Sequence, residues 1–196
     1  MPVVANDDRP VSLSEAEALV GEIERLRAKV ESLEATICEL DELAHKDPLV
    51  GVANRRSFLA DLERLIGRVE RYGETASMMF VDVDGLKRIN DSFGHGAGDK
   101  ALVQVAKMLV ATVRKSDCVA RLGGDEFAIL LERCDELSAW QMALRIVEGI
   151  LSSQFCVNGS WLRLSVAVGV SSIQAGDTAQ SVMARADKAM YQIKGR

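Results

Sequence analysis

The chain has 196 residues, 48% hydrophobic and 27% charged, which excludes a wholly disordered chain and fits one folded domain with an appendage. Its net charge of −5 is laid out unevenly: residues 1–46 carry 11 acidic and 5 basic side chains, net −6, and residues 47–196 carry 18 and 19, net +1. No basic run marks a nucleic-acid face, no apolar stretch reaches the roughly 18 residues of a membrane-spanning helix, and the first ten residues lack the apolar core of a secretory signal, so a cytoplasmic protein without nucleic-acid or membrane partners is expected.

Residues 1–11 are expected to be a disordered lead-in. From Ala16 the apolar residues fall at 16, 19, 23, 26, 30, 33, 37, 40 and 44, alternating steps of three and four over four heptads. Ile23, Val30 and Ile37 take the a positions and Leu26, Leu33 and Leu40 the d positions. β-Branched residues at a with leucine at d favour a parallel two-stranded coiled coil. Glu22 can meet Arg27 of a partner helix, and Lys29 can meet Glu34. An amphipathic helix lying on its own domain would show a wider apolar stripe. Ser12 and Glu15 form a capping box at the start. Asp47-Pro48 disfavours further helix, so a dimerising helix over 12–46 is expected, with a globular domain over 47–196.

The globular part alternates helix and strand. A helix is predicted over 54–72, with Phe58, Leu62, Leu65, Ile66 and Val69 on one face, and a buried strand over 76–84. A helix opening follows at Gly85, and a second long helix covers 97–113. Two apolar runs, 118–122 and 127–131, flank Gly123-Gly124-Asp125-Glu126, a hairpin signal. A helix over 138–151, strands over 155–157 and 161–170 joined across Asn158-Gly159, and a final helix over 179–194 complete the chain. The pattern predicts an α+β fold, an antiparallel-rich central sheet flanked by helices. The four cysteines (Cys38, Cys118, Cys134, Cys156) show no CxxC spacing and read as reduced thiols.

The chemistry gathers in two acidic turns. Asp82 and Asp84 end the first buried strand on one face, with Val81 and Val83 on the other. Asp125 and Glu126 sit at the hairpin tip. Hard oxygen ligands of this kind suit Mg²⁺, which takes one or two carboxylates together with substrate phosphates. Lys87, in the opening turn of a helix, is placed to anchor phosphate. Asn90 and Asp99 lie near glycines; they can act as caps, or an aspartate can accept from the N1–H and amino group of guanine while an amide serves another edge atom.

Gly123-Gly124-Asp125-Glu126-Phe127 resembles the signature of the GGDEF-family diguanylate cyclases. The segments beginning at Asp47, Phe80 and Ala186 resemble the family's DxLTGLxNRR, FxDxDxFKxINDxxGHxxGD and ADxALYxAK blocks, and Arg121 keeps the family spacing before the glycines. The resemblance covers residues 47–196. It implies a nucleotide-cyclase or palm-like sheet with a ferredoxin-like core, and a reaction in which two GTP become cyclic di-GMP and two pyrophosphates across a dimer. By carry-over, Asp82, the Val83 carbonyl and Asp125 bind Mg²⁺ (or Mn²⁺). Asp125 and Glu126 share the roles of metal ligand and proton acceptor, Asn90 and Asp99 contact guanine, and Lys87 and Lys194 contact the β- and γ-phosphates. Arg114-Lys-Ser-Asp117 falls where the family places its RxxD product-inhibition site. Leu86 stands for the usual Phe, Val50 and Val52 for the usual Thr and Leu, and the closing KxxGR is shortened to Lys194-Gly195-Arg196. A homodimer through the coil is expected, with a regulatory protein gripping it as one source of control. The competing readings are a silent receptor for cyclic di-GMP or GTP and a coiled-coil adaptor.

Overall fold

The computed structural model describes residues 13–194, with the backbone alone for residues 13–16, 38–40, 42 and 43. The lead-in over 1–11, the capping box of Ser12 and Glu15 and the closing Gly195-Arg196 lie outside what is described. The chain forms two compact units, residues 1–44 and 45–196. The first unit is built on helix α1 (Leu13–His45), about 50 Å long at 1.5 Å per residue. Ile23, Leu26, Val30 and Leu33 are each about half exposed and Ile37 more so. Glu22 is paired with Arg25 of its own helix at 2.8 Å.

The second unit is a sheet covered on both faces. Its elements are β1 (Ala53–Asn54), α2 (Arg55–Tyr72), β2 (Ala76–Val83), α3 (Leu86–Phe93), α4 (His95–Thr112), β3 (Cys118–Gly123), β4 (Glu126–Glu132), α5 (Glu136–Ser152), β5 (Phe155–Val157), β6 (Ser160–Leu162), β7 (Val166–Ile173) and α6 (Ala179–Lys194). Five strands are ordered β1-β3-β4-β2-β7, all antiparallel except the β1–β3 pair. β2 is central and buried along its whole length. Alternation sends Met79, Val81 and Val83 into a core with α4 and α5, and Met78 and Phe80 into a second core with α2 and α6. A strand buried on both faces needs the near-continuous apolar run that Met78-Met-Phe-Val81 supplies.

Helix boundaries follow local chemistry. Asn54 caps α2 by accepting from the Ser57 N–H, and Gly73 ends it at φ 64° with its N–H on Val69 O. Asp135 caps α5 through the Ser138 N–H. Two features depart from the sequence expectation. The short β1 had no apolar pattern to mark it. The single strand expected over 161–170 is two: β6 pairs only with β5 around the Asn158-Gly159 turn, and β7 starts at Val166 on β2. Between them Leu164 is fully buried, while Ser165 donates its hydroxyl to Asp84 at 2.8 Å and accepts the Asp84 N–H at 2.9 Å. The backbone leaves the ladder to satisfy both.

Helix α6 lies directly on β7. A Cβ placed on Gly169 would come 2.1 Å from the Ala186 carbonyl oxygen and 2.3 Å from Met190 N, both rigid helix backbone. Gly169→Ala is therefore expected to destabilise the domain by about 3 kcal/mol, lowering the melting temperature in a calorimetric scan by roughly 10 °C. An unchanged midpoint would mean the helix can retreat without loss.

Candidate active site

The two acidic turns meet at one end of β2. Asp82 stands opposite Glu126 in the β2–β4 register, and the Val83 N–H donates to the Asp125 carbonyl at 3.0 Å. The turn between β3 and β4 is made by Gly123 at φ 148° and Gly124 at φ 52°, with a register shift between Arg121 and Gly123. Side chains rarely adopt such angles, so glycine permits the tight approach. Asp82 is only 8% exposed and accepts a hydrogen bond from the Lys194 ammonium at the end of α6. Burial raises its pKa, the Lys194 hydrogen bond opposes this, and the charges of Asp125 and Asp84 add to the rise. Glu126 is raised as well, first by burial, then by Asp125, Asp82 and Asp187, against the pull of Arg55.

Among the described residues no three His, Cys, Asp or Glu side chains gather to hold a metal unaided. Asp82, Asp125 and the main chain of Val83 make a smaller set of hard oxygens. That set fits a divalent cation which completes its shell with phosphate oxygens and water, and the Lys194 ammonium on Asp82 shows that the position accepts positive charge.

The remaining predicted residues fall on α3, α4 and α6. Gly85 opens α3 at φ 68°, and Lys87 stands exposed in its first turn. Asn90 packs its side chain against Gly98 of α4: a Cβ there would sit 2.1 Å from Asn90 Oδ1. That oxygen is buried against Gly98 and has no hydrogen-bond partner, so Asn90 does not act as a helix cap here. Asp99 is exposed on α4. Lys194, assigned to phosphate by resemblance, donates its ammonium to Asp82. Its position is set from upstream: Val182, Ala186 and Met190 are buried, and Arg185 forks onto Asp177 at 2.7 Å in both contacts.

Arg114 and Asp117 line a separate cavity of about 200 Å³ with Arg145 of α5. Asp117 folds the segment by accepting the Arg114 N–H at 2.9 Å and the Glu132 N–H at 3.3 Å. Arg145 was not foreseen; it comes to this cavity from α5, which packs on β7 and β2 and against α4, and no local motif marks it. Arg121 was singled out for spacing alone. It donates to the Gly124 carbonyl at 2.8 and 3.1 Å and to Asp47 at 3.3 Å, while Asp47 accepts the Leu49 and Val50 N–H groups at 3.0 Å. The glycine turn is thus held by a partly buried guanidinium.

Residues 44–196 match the family described as diguanylate cyclase, GGDEF domain. The chain belongs to the GGDEF family. The diguanylate cyclase TpbB of Pseudomonas aeruginosa is 36% identical over 182 residues, covering 90% of this chain and 40% of TpbB. The chain therefore spans well under half the length of that relative. Two solved structures share the fold of the GGDEF domain and the helix before it. The coiled coil and GGDEF domain of DgcB from Caulobacter crescentus, in complex with c-di-GMP, has a TM-score of 0.83 at 27% identity, covering 91% of this chain and 95% of that one. The diguanylate cyclase SiaD in complex with its activator SiaC, from Pseudomonas aeruginosa, has a TM-score of 0.75 at 29% identity, covering 93% and 73%. The α+β fold with a mostly antiparallel sheet, expected from the sequence, is the fold of these relatives. Among the described residues no helix is long and apolar enough to cross a membrane.

Proposed function

We propose that the chain is a diguanylate cyclase, condensing two GTP into cyclic di-GMP and two pyrophosphates between two facing GGDEF domains. The observation that carries this reading is the Val83–Asp125 backbone hydrogen bond of 3.0 Å, which holds both acidic turns at one site. Asp82, the Val83 carbonyl and Asp125 would hold Mg²⁺ or Mn²⁺. When bound, the metal supplies charge neutralisation at the attacking and leaving oxygens of an in-line displacement.

The chain's own groups do the rest. Asn90 offers its side-chain amide to the guanine edge, and Asp99 accepts from the guanine N1–H and amino group, a pair of donors adenine lacks. Lys87 takes the outer phosphates, joined by Lys194. Glu126 or Asp125 takes the proton of the 3′-hydroxyl. Burial and the neighbouring carboxylates raise the pKa of Glu126, which favours it as a proton acceptor. The exposed a and d residues of α1 support a parallel pairing with a second copy, and DgcB's coil followed by a GGDEF domain is a parallel case. The complex of SiaD with SiaC supports a protein partner as a regulator of such a chain.

Incubation with GTP and Mg²⁺ followed by chromatography is expected to give cyclic di-GMP and pyrophosphate in a ratio of one to two. Absence of product under every condition, with tight cyclic di-GMP binding, would make the chain a receptor instead. Product inhibition is assigned to Arg114 and Asp117, with Arg145 beside them. Arg114→Ala removes a charge-assisted fork worth about 1.5–3 kcal/mol. The concentration of added cyclic di-GMP that halves the initial rate should rise by at least about tenfold; an unmoved inhibition curve would place the inhibitory site elsewhere.

A further inference from the structure

Among the described residues Asp82 is the one buried carboxylate, and the cation it holds belongs to the chain itself. Lys194 reaches it across 112 residues of sequence, from the last described position of α6. Its ammonium lies within the electrostatic reach of Asp82, Asp84 and Asp125 together. Of these, Asp84 is engaged by the Ser165 hydroxyl and main chain, and Asp125 stands half-exposed on its turn. Asp82 is largely shut off from solvent and, among the described residues, its side chain takes its hydrogen bond from Lys194, so removal of the ammonium alone would leave a mostly buried charge unpaired.

We infer that Lys194 is an exchangeable internal cation: it holds Asp82 until a divalent metal–nucleoside triphosphate arrives, then transfers to the phosphates, so that metal binds poorly without nucleotide. The inference rests on the reading of the site given above. A divalent ion on Asp82 and an ammonium on the same carboxylate would repel at ion-pair distance. Metal alone must therefore evict Lys194 with no anion to receive it. Metal bound to a triphosphate brings that anion, and the exchange conserves ion pairs on both sides. The geometry allows the transfer without moving the fold. The Lys194 side chain is 42% exposed, on a flexible four-carbon stem, while α6 is locked upstream by Val182, Ala186 and Met190 and by the Arg185–Asp177 fork. Metal and nucleotide are then thermodynamically linked, each raising the affinity for the other.

The test is a Mn²⁺ titration of the full chain followed by electron paramagnetic resonance, with no nucleotide present. Lys194→Met and Lys194→Gln, each titrated well below its own melting midpoint, should bind Mn²⁺ at least about tenfold more tightly than the native chain. Adding Asp82→Asn to either should abolish the gain. On the native chain, ¹³C labelling of lysine should show the Lys194 side-chain resonance unmoved by Mg²⁺ alone and shifted by Mg²⁺ with 3′-deoxy-GTP, which lacks the attacking hydroxyl. If both Lys194 variants bind Mn²⁺ no better than the native chain, or the resonance stays put with the nucleotide, the exchange does not occur. The titration contains no GTP, so it is independent of turnover. Cyclic di-GMP formation without the gain in Mn²⁺ affinity would sink the exchange and leave the cyclase reading standing, and the gain without product would do the reverse.

Discussion

Asp125→Ala is expected to lower the rate of cyclic di-GMP formation by about a hundred- to a thousandfold while leaving the melting temperature of the chain within error of native. The two halves of that expectation have separate causes. The contact that holds the turn in place uses the Asp125 main chain, whose carbonyl accepts from the Val83 N–H, and alanine keeps that carbonyl. Arg121 grips the same turn through the Gly124 carbonyl, which the substitution also leaves untouched. The carboxylate itself is half-exposed and bears only on the charge of the site, where it raises Asp82 and Glu126 by proximity. Its loss takes away a hard oxygen ligand and nothing that packs. Asp82→Ala would be a poorer probe, because it also strands the Lys194 ammonium. A variant that keeps more than about a tenth of native turnover would show that the acidic turn is not where GTP reacts.

What the sequence could and could not convey divides along chain distance. The face of α2 was legible because five apolar residues recur at helical spacing, and the same five are its buried ones. The doubly buried β2 was legible from its unbroken apolar run, and the parity of Asp82 and Asp84 from simple alternation. The hairpin turns were written in glycines and an Asn-Gly pair whose backbone angles other residues resist. By contrast, β1 is two residues long and exists only because β3 lies beside it. The break between β6 and β7 is dictated by Asp84, 81 positions from Ser165. Arg121 meets Asp47 across 74 residues, and Arg145 enters the RxxD cavity from another helix. None of these leaves a periodic trace. The placement of Lys194 is the instructive case: resemblance assigned it to phosphate, and the folded chain shows the carboxylate it holds as well.

Removing residues 1–44, which leaves the compact unit 45–196, is expected to turn the chain into a monomer at submicromolar concentration and to lower turnover per chain by at least about tenfold there. The reasoning begins with the seam. Ile23, Leu26, Val30, Leu33 and Ile37 leave much of their surface exposed on one stripe of a 33-residue helix, an arrangement a lone helix has no means of burying. A parallel partner would cover it in register. Two tethered domains then meet at an effective concentration near the millimolar range, against a bulk value orders of magnitude lower. In the proposed reaction each domain supplies one GTP, so the rate of the shortened chain should climb with the square of protein concentration, where the native chain rises linearly; sedimentation on the same samples would report the association directly. Val30→Lys, a charge at an a position, should reproduce the loss without shortening the chain. The acidic surplus of residues 1–46, net −6 per copy, opposes a parallel pairing by self-repulsion. Salt screens that repulsion, so at limiting protein concentration the native chain should gain activity on moving from about 10 mM to 150 mM salt, as the Debye length falls from about 30 to about 8 Å. A shortened chain that stays fully active at low concentration, with a linear dependence, would show that the globular domains find each other unaided.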